Sequence, residues 1–136
     1  MIENCKIIKL ERIGNPKGNL TFVESFNHLP FKIKRVYYLS EIPHGAKRGA
    51  HAHRALHQFI IALSGSFDIQ LDDGANKKKI TLSKNDEGIY ICPMIWRDID
   101  NFSENAICLV LASEHYDELD YYRDYGSFLK ETKNKV

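Results

Sequence analysis

Short stretches in which every second residue is apolar run through this chain. In SFDIQL, at 66–71, Phe67, Ile69 and Leu71 fall on one face and Asp68 and Gln70 on the other, the period of a half-buried strand. Further segments rich in β-branched and aromatic residues follow the same habit: NLTFVES at 19–25, FKIKRVYYLS at 31–40, HQFIIALS at 57–64, KKITLS at 78–83, GIYICP at 88–93 and AICLVLAS at 106–113. Turn signals separate them, at GNPKGN (14–19), LPF (29–31), PHGAKRG (43–49), SGS (64–66) and DDGANKK (72–78). About seven to ten short strands are predicted. Only the stretch from Ser113 to Lys133 carries helical spacing, with acidic residues early and Tyr121, Tyr125, Phe128 and Leu129 recurring at three- and four-residue intervals. It predicts one short C-terminal helix or two helical turns. Many strands with little helix point to an all-β jelly-roll barrel.

Length and composition narrow this without changing it. A chain of 136 residues, 43% hydrophobic and 27% charged, is one globular domain, expected to span 1–136. It holds no apolar run long enough to cross a membrane, and the opening MIENCKIIKLERIG lacks the unbroken apolar core of a secretory signal. A cytoplasmic location is expected. The net charge of +1 gives no basic field for nucleic acid, and the lysines of the 130–135 tail are read as solvated. Cys5, Cys92 and Cys108 are widely spaced and odd in number, which predicts reduced structural thiols.

The chemistry gathers around Arg48-Gly-Ala-His51-Ala-His53, followed by Gln58 and an apolar strand ending at Gly65. Two histidines at i and i+2 on a strand share a face, and the small residues between them with the apolar strand after them predict that this face lines a cavity. The LDDG string at 71–74 is read as a hairpin turn rather than an acid site.

Gly45, His51, His53, Gln58 and Gly65 fit in register the spacing G-x5-H-x-H-x4-[E/Q]-x6-G, and the chain resembles the cupins on that ground. A metal-binding cupin places a carboxylate at position 58 and a histidine near position 97. This chain has Gln58 and Arg97, a weak ligand and no ligand at all, so no metal is expected. His44, His57 and Asp98 would be irregular substitutes for those ligands.

LPFKIKRVYYL, RGAHAHRALHQ, LDDG, GIYICPMIWRD and LVLASEHYDELDYYRDY, in that order, resemble the sugar 3,4-ketoisomerases that act on dTDP-4-keto-6-deoxyglucose. The resemblance covers about residues 10–128. It implies a cofactor-free isomerase of a dTDP-linked keto-sugar, acting as a homodimer and feeding an aminotransferase. The end product would be a 3-amino-3,6-dideoxy sugar, of the kind found in lipopolysaccharide O-antigens and S-layer glycans.

The same resemblance implies roles for residues. His51 is the main base and His53 its partner. Tyr37 donates to sugar oxygens, while Arg48, Lys17, Arg97 and Gln58 contact substrate. Arg97 in the Trp96-Arg97-Asp98 string resembles the branch giving the gluco product rather than the galacto one. Three alternatives stay open: a metal-dependent cupin enzyme, a non-catalytic sugar-binding cupin, and an epimerase acting at C5 or at both C3 and C5.

Overall fold

The computed structural model describes residues 1–134; Lys135, in the predicted solvated tail, lies outside them, while Lys130 and Lys133 are exposed. In chain order the strands are β1 (Lys6–Lys9), β2 (Arg12–Asn15), β3 (Gly18–Thr21), β4 (Arg35–Leu39), β5 (Arg48–His53), β6 (Gln58–Ser64), β7 (Phe67–Asp72), β8 (Lys77–Leu82), β9 (Glu87–Ile91), β10 (Trp96–Asp100), β11 (Ile107–Ala112) and β12 (Tyr121–Tyr122), followed by helix α1 (Tyr125–Asn134). The architecture is the predicted all-β cupin jelly roll with one short C-terminal helix.

Two antiparallel five-stranded sheets face each other, ordered β1-β9-β6-β11-β4 and β12-β5-β10-β7-β8. Their inward faces supply one apolar core. Ile60 and Ala62 of β6, Phe67, Ile69 and Leu71 of β7, Ile89 and Ile91 of β9, and Cys108 and Val110 of β11 are all buried there. Strand β6 is buried along Gln58–Ala62 with no alternation, because Phe59 and Ile61 on its outer face are covered by Leu10, Leu29 and Phe31. A third cluster seats α1: Phe128 packs with Trp96, Tyr122, Met94 and Ala52 on the outside of the second sheet.

The LDDG string forms the expected hairpin turn between β7 and β8. The Asp72 carboxylate accepts from Gly74 N at 2.7 Å, Asp73 accepts from Ala75 N and Asn76 N, and Gly74 takes φ +95°.

The C-terminal segment is only half helical. Asp124 accepts from Ser127 N at 2.9 Å and caps α1, which begins just downstream, at Tyr125. Upstream of it, Glu118–Asp120 makes one 3-10 turn, and Tyr121 and Tyr122 pair with His53 and Ala52 of β5. Strand pairing overrides the helical spacing there, and Tyr121 is drawn toward the histidine strand.

The three cysteines are free, with the Cys5 and Cys92 sulfurs 4.0 Å apart. No helix among the described residues is long and apolar enough to cross a membrane.

Candidate active site

The histidine strand is not regular. Its pairing with β10 runs Ile99↔Arg48, Asp98↔Gly49 and then Arg97↔His51, so Ala50 is an extra residue opposite the junction. Gly49 and Ala50 both have positive φ, +86° and +58°. This is a β-bulge, and it shifts the side-chain alternation by one residue. In a regular strand Arg48 and His51 would face opposite ways. With the bulge, Arg48 and His51 line one cavity of about 450 Å³. Gly49 is required by space as well as by φ, since a Cβ there would stand 2.9 Å from the Arg97 carbonyl oxygen.

His51 and His53 project to the same side, ring centroids 4.8 Å apart and edge to face. His53 is fully buried behind its partner. Its Nδ1 lies 3.0 Å from Asp120 Oδ2, while the Nε2 atoms of both histidines are buried without a hydrogen-bond partner. Burial, reinforced by the cation of Arg97, holds His51 neutral with a pKa lowered to about 4. The same two causes push His53 down as well. Both rings are therefore neutral imidazoles at neutral pH, each able to accept a proton.

Across the cavity floor Arg97, 1% exposed, reaches from the second sheet to the first and donates through Nη1 to Gln58 Oε1. Its Nη2 donates to the Ile95 carbonyl at 3.0 Å, and Nε has no partner. Gln58 in turn donates from Nε2 to the Tyr37 hydroxyl at 3.0 Å. Since that hydroxyl already accepts from Gln58, its own proton is free to be donated into the cavity. Desolvation raises the Tyr37 pKa and keeps that proton in place.

Around the rim stand Arg35, Lys47, Arg48 and Arg123, and no carboxylate is among the described residues lining the cavity. Arg35 lies 5.3 Å from the Tyr37 ring centroid and has Nε and Nη2 buried without partners. Such a cavity favours an anionic ligand.

Of the residues singled out in the sequence, Tyr37, Arg48, His51, Gln58 and Arg97 come together in this cavity, with His53 directly behind. Lys17 does not. It sits in the β2–β3 turn, exposed, on a hairpin that pairs only with itself.

His44, His57 and Asp98 are also elsewhere. His44 is exposed, His57 meets the Tyr90 hydroxyl at 2.7 Å, and Asp98 accepts from Trp96 Nε1 at 3.2 Å. Among the described residues, no group of three His, Cys, Asp or Glu side chains is placed to hold a metal ion. With a guanidinium paired opposite His51 and Gln58 engaged to it, the donor set does not suit a divalent metal.

The sequence does not single out Arg35, Lys47, Asp120, Tyr121 or Arg123 for this site. Arg35 precedes Tyr37 by two positions on an alternating strand, a signal that could have placed both on one face. Tyr121, spaced in the sequence like a helix residue, has its ring 5.1 Å from His51 and 4.4 Å from His53, so it walls the histidine pair. Arg123 is held by Glu118. Nothing in the local pattern marks Asp120.

Residues 3–133 match the family model described as WxcM-like, C-terminal (FdtA). The chain is 40% identical over 125 residues, 92% of its own length and 90% of the relative's, to TDP-4-oxo-6-deoxy-alpha-D-glucose-3,4-oxoisomerase of Aneurinibacillus thermoaerophilus. It superposes with a TM-score of 0.96, at 40% identity over 100% of this chain and 99% of the other, on a mutant of the 3,4-ketoisomerase QdtA from Thermoanaerobacterium thermosaccharolyticum in complex with TDP-4-keto-6-deoxyglucose. The WlaRB TDP-quinovose 3,4-ketoisomerase of Campylobacter jejuni is 47% identical, with a TM-score of 0.91 over 94% of this chain and 98% of that one.

Proposed function

Because the chain belongs to the WxcM-like, C-terminal FdtA family and is an isomerase, we propose that it is a TDP-sugar 3,4-ketoisomerase that converts TDP-4-keto-6-deoxyglucose to a 3-keto-6-deoxyhexose. The observation that carries the reading is a pair of neutral imidazoles, each with an unpartnered Nε2: His51 lines a cavity whose charged side chains are all cations, and His53 stands directly behind it.

Moving a carbonyl from C4 to C3 needs a base to lift the C3 proton, stabilisation of the enediolate left behind, passage of the O3 hydroxyl proton to O4, and return of a proton at C4. His51 is the base. The C3–H bond breaks, an N–H bond forms on the imidazole, and the electron pair stays on the sugar as the enediolate. Arg97 supplies positive charge and the Tyr37 hydroxyl a donor toward the developing oxygen charge. His53 is the partner in proton relay, and Arg48 with its neighbouring cations meets the diphosphate. No electron leaves the substrate, so the sequence needs neither hydride carrier nor resident cofactor.

Arg97 and the 47% identity to a TDP-quinovose ketoisomerase support the gluco product. Its consumer is an aminotransferase acting at C3, in a route to the 3-amino-3,6-dideoxy sugars of surface glycans. The whole span 1–136 acts as one domain, and the active form is a homodimer. The self-paired β2–β3 hairpin leaves Ile13 and Leu20 55% and 56% exposed, and edge strand β4 leaves Val36 and Tyr38 58% and 65% exposed. A second copy is the natural cover for them, and Lys17 contacts substrate only if that hairpin reaches a neighbouring cavity.

Proton NMR of the purified protein with TDP-4-keto-6-deoxyglucose in D₂O tests the reading. The expected product carries deuterium at C4 and its carbonyl at C3, and His51→Asn slows it by about 10²-fold or more. Deuterium at C5 with the carbonyl still at C4 would show an epimerase instead.

A further inference from the structure

Building on the isomerase reading, we infer that Asp120 is a positioning residue for the proton relay: its carboxylate holds His53 in the tautomer with hydrogen on Nδ1 and a bare Nε2.

An ionised carboxylate only accepts hydrogen bonds, so a neutral imidazole 3.0 Å from it must donate from the near nitrogen. Nδ1 therefore carries the hydrogen and Nε2 the lone pair. That Nε2 is buried and without a partner, in a ring 4.8 Å from His51. A bare Nε2 can take up a proton displaced during turnover and hand it back. A protonated Nε2 can only donate, and the relay would be blocked at its first step. When His53 gains its transient positive charge, the same carboxylate stabilises it.

The carboxylate is itself firmly placed. Asp120 donates its N–H to the Asp117 carbonyl at 3.0 Å, accepts at its own carbonyl from Arg54 N at 2.8 Å, and accepts at Oδ1 from Ala55 N at 2.8 Å. Asp120 closes the 3-10 turn, and the next residue, Tyr121, pairs opposite His53. One strand pairing thus delivers both the tyrosine wall and the acid that orients the ring. The two oxygens have separate tasks, Oδ1 for the backbone and Oδ2 for the imidazole.

This division makes Asp120→Asn a sharp probe. The Ala55 N–H still needs an acceptor, so the amide oxygen takes the Oδ1 place and the NH₂ group faces His53. Nδ1 must then accept, which forces the hydrogen onto Nε2. Long-range ¹H–¹⁵N correlation spectra, assigned with His53→Gln, read the tautomer directly. Wild type should show a protonated Nδ1 and a bare Nε2, and the variant the reverse. The variant should lose about 10²-fold or more in kcat with KM within about threefold and melting little changed.

Protonated Nε2 in the wild type would overturn the inference, and so would a reversed tautomer with undiminished kcat. If the wild type fails to move the carbonyl yet shows the Nδ1–H tautomer, the function reading falls while the orienting role of Asp120 stands.

Discussion

Arg97 and Gln58 lie on opposite sheets and meet at the floor of the cavity, the guanidinium donating to the amide oxygen while the amide nitrogen donates onward to Tyr37. The direction of that chain follows from its first member, since a guanidinium has no acceptor. Gln58 must present oxygen to Arg97 and nitrogen to Tyr37, and Tyr37 is left to donate into the cavity.

Gln58→Ala should therefore cost both stability and turnover. It leaves a fully buried guanidinium short of an acceptor, a penalty of about 1–3 kcal/mol. It also frees the Tyr37 hydroxyl from its orienting donor. Urea unfolding should show the lost stability, and steady-state kinetics a reduced kcat. Unchanged unfolding would mean that Arg97 finds its partner elsewhere.

Acid should destabilise the fold through the histidines. In the unfolded chain His51 takes up a proton near 6.5, whereas in the folded one it resists until about 4. The unfolded state thus binds more protons across that window. The stabilisation is complete above 6.5 and falls as pH drops toward 4, by about 1.4 kcal/mol per pH unit for this residue. His53, shifted the same way, adds to the slope. Chemical denaturation at stepped pH should show it, and His51→Asn should flatten it. The acid limb of kcat/KM should correspondingly lie below the ordinary imidazole value.

The bulge before His51 should not tolerate a side chain at position 49. Gly49 has φ +86° and no room beside the Arg97 carbonyl, so Gly49→Ala meets strain and a clash together. A loss of about 1–3 kcal/mol is expected. Activity should fall further than a remote substitution of equal stability cost would produce, because the bulge aims both Arg48 and His51. Melting temperature and kcat measured side by side check this.

Charging the hairpin should separate the proposed homodimer. Ile13→Asp with Leu20→Asp places carboxylates on two side chains now 55% and 56% exposed, so a lone protomer should fold unharmed. Sedimentation velocity should show a monomer where the parent sediments as a dimer. A parent that already sediments as a monomer would refute the dimer, and Lys17 would then have no route to the site.

The chain's own alternation of polar and apolar residues determined the jelly roll, the LDDG turn and the shared face of His51 and His53. Each of these depends on neighbours within a few positions, where strand period and turn chemistry act. Gln58 and Arg97 could be set against the ligand positions of a metal-binding cupin only through the resemblance to that family.

Only the tertiary structure decided the rest. A one-residue bulge at Ala50, invisible to a period-two reading, turns Arg48 onto the same cavity as His51. Tyr121, spaced like a helix residue, is captured together with Tyr122 as a strand by β5, and that pairing sets Asp120 against a histidine 67 positions away. Lys17, plausible by sequence, stands on a hairpin clear of its own cavity. Register, bulges and strand capture are settled by which surfaces bury one another across the whole barrel, and no local window of sequence contains that information.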